Sequence, residues 1–68
     1  MKWRAIDVFI DPPRYYEIDY DPAIGYYLYV FENDKCMYDD LQFTLEIAME
    51  CALDDFGVPL DAWIKIEE

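Results

Sequence analysis

Between Tyr15 and Phe31 the chain reads YYEIDYDPAIGYYLYVF, two runs of β-forming residues around a single Asp-Pro-Ala-Ile-Gly break. Alternation of this kind places successive side chains on opposite faces of a strand. In the break, Asp21 suits the first position of a turn, Pro22 presets the next φ, and Gly25 tolerates a conformation other residues avoid. Tyr15–Tyr20 and Tyr26–Phe31 are therefore expected to form an antiparallel hairpin, and the fold has to be built around it.

The flanking segments complete a small α+β pattern. WRAIDVFI, Trp3 to Ile10, reads as a first strand, stopped by Asp11-Pro12-Pro13-Arg14, because proline cannot continue a ladder. Residues 32–35 read as a second turn, followed by a short strand stub at Cys36 and Met37. A helix is expected from Asp39 or Asp40 to Phe56. Asp39 serves as its N-cap with Gln42 in a variant capping box, and Leu41, Leu45, Ala48, Ala52 and Phe56 form its apolar stripe. Gly57 and Pro59 end it, and Ala62, Ile64 and Ile66 suggest a last strand. The expected architecture is β-β-β-α-β: a three- to four-stranded antiparallel sheet with one long helix packed on one face.

A chain of 68 residues makes a single domain, residues 1–68, with a marginal core. Its 56% apolar content argues for a folded chain. Sixteen acidic residues against five basic ones give a net charge of −11. That charge repels nucleic-acid phosphate and anionic membrane surfaces, and it suits basic patches on proteins or solubility alone. The amino terminus has no apolar run long enough for a signal peptide, and the two cysteines, Cys36 and Cys51, read as reduced thiols. Both features are read as those of a cytoplasmic protein.

Splitting each strand by parity sorts the hairpin into two faces. Tyr16, Ile18, Tyr20, Tyr26, Leu28 and Val30 form one set, with Ile6, Val8 and Ile10 from the first strand, and these are expected under the helix. The other set is Trp3, Phe9, Tyr15, Tyr27, Tyr29 and Phe31, mixed with Asp7, Glu17 and Asp19. Such a face can serve cross-strand stabilisation, burial between two copies, or contact with a different protein. The reading adopted is a contact surface made of Trp3, Phe9, Tyr15, Glu17, Asp19, Tyr27, Tyr29 and Phe31.

Catalytic chemistry finds little material. The chain has no His and no Ser, and its one Thr is Thr44, so Ser–His and Cys–His arrangements cannot be assembled. Two cysteines without histidine do not make a zinc site. The Asp19-Tyr20-Asp21 start of a calcium loop fails, because Ile24 stands where glycine is required. With glycine only at positions 25 and 57, a phosphate loop is excluded. RNA-binding sheets set their aromatic rings among bases rather than acids. The expectation is a protein without catalysis, cofactor or metal, binding neither nucleic acid nor membrane.

Tyr15 to Ala52 resembles the HicB-like antitoxin domain. The matching pieces are Gly25-Tyr26-Tyr27-Leu28-Tyr29-Val30, then Cys36, then Thr44-Leu45-Glu46-Ile47-Ala48, against a family pattern whose helix opens on TLEEA. The resemblance implies a sheet-and-helix domain that binds and blocks a small basic toxin, usually an RNase. The expected function is thus a small acidic protein-binding domain that inhibits a basic partner. A homodimer that buries the aromatic face between copies is the alternative.

Overall fold

A computed structural model describes residues 1–7 and 14–66 of the chain. Five strands and one α-helix follow in order: β1 (Lys2–Asp7), β2 (Arg14–Asp21), β3 (Gly25–Glu32), β4 (Lys35–Gln42), α1 (Leu45–Phe56) and β5 (Ile64–Ile66), with a 3-10 turn at Leu60–Ala62 before β5. All strand pairings are antiparallel, in the sheet order β4-β3-β2-β1-β5. The fold is α+β, as expected, with one helix on one face of the sheet. No helix among the described residues is long and apolar enough to cross a membrane.

The hairpin forms as its turn chemistry requires. Asp21 O accepts from Ile24 N at 3.0 Å, and Asp21 Oδ1 accepts from Ala23 N at 2.9 Å, so one residue closes the turn through both its main chain and its side chain. Gly25 follows with φ 141°. The β3–β4 connection uses Asn33 and Asp34 at φ 53° and 63°. Positive φ at both central residues is the requirement of a two-residue type I′ hairpin, and Asn and Asp tolerate it. Beside this turn Arg14 Nη2 reaches Glu32 Oε2 at 3.2 Å, tying the start of β2 to the end of β3.

Two expectations about the segment after this turn are overturned. The stub at Cys36–Met37 is a full strand of eight residues, and Asp39 to Gln42 belong to it. The helix therefore starts later, with Thr44 as its N-cap: φ −133°, ψ 157°, and Oγ1 accepting from Ile47 N at 3.1 Å. A cap of this kind is worth about 1 kcal/mol. Pairing with β3 outweighs the poor β-propensity of Asp39 and Asp40, so neither residue caps the helix and Gln42 closes no capping box. Leu41 is likewise a strand residue and no member of the helical stripe. The far end agrees with expectation: Gly57 takes φ 73°, and its N–H bonds back to Leu53 O at 2.9 Å.

The core lies between the sheet and α1. Tyr16, Ile18, Leu28 and Val30 from β2 and β3 meet Ala48 and Ala52 of the helix, joined by Ala5 and Val58, all buried. Small residues at 48 and 52 let the helix sit close to the sheet. Leu45, Met49, Cys51 and Phe56 pack around them, with the Phe56 ring 5.8 Å from Tyr16 and 5.3 Å from Tyr38. Burial, then the charges of Asp40 and Asp55, pushes the Cys51 thiol above its ordinary pKa, which keeps it protonated and unreactive at neutral pH.

The first strand presents the opposite faces to those expected. Trp3 pairs with Ile18 and Ala5 with Tyr16, so both stand on the helix side. Ala5 is buried, and Trp3 packs on the core with its ring 6.0 Å from Tyr26. Lys2 and Arg4 occupy the other face instead. Phe9 lies outside the described residues, as do Val8 and Ile10.

Candidate functional site

Cross-strand register lays out the face opposite α1 as rows running from β5 to β4. One row reads Ile66, Lys2, Asp19, Tyr27, Leu41, and the next reads Ile64, Arg4, Glu17, Tyr29, Asp39. A third row contains Tyr15 and Phe31. Among the described residues no second layer packs over this face. It therefore holds Tyr15, Glu17, Asp19, Tyr27, Tyr29 and Phe31 together as expected, and it does not hold Trp3.

The aromatic rings form one connected ladder. Tyr15 stacks on Phe31 at 4.8 Å with 12° between the planes. Phe31 touches Tyr29 at 6.2 Å, and Tyr29 lies 5.8 Å from Tyr27 at 18°. All four rings are half-buried, because each shields its neighbour. Each such contact stabilises the sheet by roughly 0.5–1.5 kcal/mol beyond area burial. The ladder is thus rigid before anything binds to it, which lowers the entropic cost of using it as a contact surface.

Charge on this face is arranged unevenly. Glu17 is only 7% exposed although it lies on the uncovered side. Its Oε1 is 3.1 Å from Lys2 Nζ and 3.7 Å from Arg4 Nη2, so two cations neutralise it in place. The Arg4 guanidinium also lies 5.4 Å from the centre of the Tyr15 ring. Lys2 reaches Asp19 as well, at 3.7 Å. Glu17 is thus an internal tie of the sheet rather than a rim acid offered to a partner.

Towards β4 the balance changes sign. Asp39 is exposed directly opposite Tyr29 and has no ion pair among the described residues. Burial, followed by the charges of Asp19, Tyr27 and Asp39, raises the pKa of the Tyr29 hydroxyl above its ordinary value. Tyr29 therefore stays a neutral hydrogen-bond donor at physiological pH. Leu41, 40% exposed, extends the apolar area at the sheet edge.

Sequence reasoning missed Asp39, Leu41, Lys2, Arg4, Ile64 and Ile66 as members of this surface. For Asp39 and Leu41 a signal was present: they alternate with Tyr38, Asp40 and Gln42, the residues on the helix side. The β4 edge itself is guarded. Leu41 N–H donates to Asp40 Oδ1 at 3.0 Å, Gln42 Nε2 donates to Asp40 Oδ2, and the Cys36 thiol donates to Tyr38 O at 3.5 Å. Main-chain groups engaged by local side chains are poor templates for an added strand. The broad face, more than the edge, is the surface free to make contacts.

A recess of about 320 Å³ lies at the other side of this face, lined by Arg4, Ala62, Ile64 and Ile66. It is open and largely aliphatic, with one guanidinium as its polar group. Among the described residues no three side chains of the metal-binding types converge. No family model, no curated protein and no solved structure matches this chain.

Proposed function

We propose that this chain is a small acidic, non-catalytic, cytoplasmic protein-binding domain that engages and inhibits a basic protein through its open sheet face. The observation that carries the reading is the rigid ladder Tyr15–Phe31–Tyr29–Tyr27, flanked by carboxylates on a chain of net charge −11. Tyrosine and phenylalanine anchors in the centre of a contact, with charge at the rim, are the usual composition of binding hot spots. An inhibitor of a basic RNase, as the HicB-like resemblance implies, is the most concrete form of the proposal. Self-association would bring together two chains of net charge −11, which argues against the homodimer.

Affinity capture on the immobilised chain at low and moderate salt, run beside the double variant Tyr27→Ala/Tyr29→Ala, tests this. The expected result is a basic protein in stoichiometric amount, released by salt, absent from the variant, and reduced in activity when bound. Capture that is equal on both chains would remove the ladder from the interaction. A dimer in sedimentation at micromolar concentration, abolished by the double variant, would replace the proposal with the homodimer.

A further inference from the structure

We propose that the Tyr27–Tyr29–Asp39 corner of the open face is a receptor for an arginine side chain of the partner. This inference rests on the basic-partner reading and specifies its central contact. The molecule already contains one example of the arrangement: the Arg4 guanidinium lies over the Tyr15 ring at 5.4 Å and 3.7 Å from the Glu17 carboxylate. A ring and a carboxylate two residues apart on β2 together hold this guanidinium from β1 by cation–π attraction and charge pairing. Tyr29 and Asp39 bring the same two groups together, here directly opposite each other on β3 and β4. Here no cation fills it among the described residues.

The features of the corner favour arginine over lysine. Tyr27 and Tyr29 are stacked near-parallel, 18° apart with centroids 5.8 Å apart, and a planar guanidinium is the cationic group shaped to extend such a stack. An ammonium group makes no such contact and keeps its water more tightly. The Asp39 carboxylate is exposed at the sheet edge, where it accepts two parallel N–H bonds without first giving up another partner. Asp19, opposite Tyr27, is already engaged by Lys2, which leaves Asp39 as the open carboxylate of this corner.

Two blocked peptides test the proposal, one alternating glycine with arginine and the other alternating glycine with lysine, at equal length and charge. Each is titrated into the full chain while the ring and amide signals are followed by NMR. The arginine peptide is expected to bind roughly fivefold more tightly, with the largest shifts at Tyr27, Tyr29 and Asp39. Asp39→Asn and Tyr29→Leu should each remove the preference, whereas Glu46→Gln, on the exposed side of α1, should keep it. Equal affinities with shifts still on Tyr27 and Tyr29 would overturn the arginine receptor and leave the basic-partner face standing. Shifts centred on the helix acids, or none with either peptide, would overturn both.

Discussion

Leu28→Ala is expected to lower the stability of the domain by about 2–5 kcal/mol, whereas Tyr29→Ala, one residue along the same strand, should cost the fold about 1–2 kcal/mol. Leu28 is fully buried in the cluster with Ala48 and Ala52, so truncation leaves a cavity between helix and sheet. Two small residues facing it cannot move in to fill the space. Tyr29 loses its ring contacts with Tyr27 and Phe31, yet it opens no void, because its face borders solvent. For a domain of this size the Leu28 variant should melt roughly 10–40 °C lower. Urea titration checks the ranking: the midpoint falls far more for Leu28→Ala, with an unchanged slope. Under the proposed function, association with a basic partner should follow the reverse order, with Tyr29→Ala expected to weaken it by about 2 kcal/mol or more. A Tyr29 variant that unfolds while the Leu28 variant stays stable would mean that the ladder is the core and the assignment of faces is wrong.

Gly25→Ala is expected to cost about 2–3 kcal/mol, more than Gly57→Ala at about 1 kcal/mol. Both glycines have positive φ, 141° and 73°. They differ in what a side chain would meet. A Cβ on Gly25 would stand 2.7 Å from Gln42 O, a main-chain atom of β4, while a Cβ on Gly57 would meet nothing within 4 Å. Relief at Gly25 requires the β3–β4 pairing to shift at the Tyr26–Gln42 position, whereas Gly57 bears only its backbone strain. Urea melts of the two variants decide it, and equal losses would show that backbone conformation alone sets both costs.

The hairpin β2–β3 was legible in the sequence because the alternation, the turn chemistry and the burial all agree there. Tyr16, Ile18, Leu28 and Val30 could be assigned to the core from spacing alone. The first strand was legible as a strand and not as a face. Its apolar residues occupy both parities, Trp3 and Ala5 against Ile6 and Val8, so only the pairing of Trp3 with Ile18 decides which side is covered. β4 was hidden for a different reason. Asp39 and Asp40 are strong helix-start residues locally, and that signal overrides the alternation of residues 38–42, which only pairing with the adjacent edge of β3 makes decisive. The same concealment removed Asp39 from the expected contact surface. Thr44, read as a residue inside the helix, turned out to supply the cap, since the chain must leave the sheet edge before a helix can begin.

The strand order has a consequence for the order of assembly. β2, β3 and β4 are joined by turns of a few residues, so their hairpins can close on the microsecond scale with little loop entropy lost. The last strand is different. Lys2 pairs with Ile66 and Arg4 with Ile64, contacts between opposite ends of the described chain that require α1 to have crossed the sheet from one edge to the other. Closure of β1 on β5 is thus the most non-local step and is expected to be the slowest, and with three paired positions among the described residues it is expected to be the first to reopen. Hydrogen exchange should find Lys65 and its neighbours trading their amides well before the amides of Ile18 and Leu28, which open only with the whole molecule.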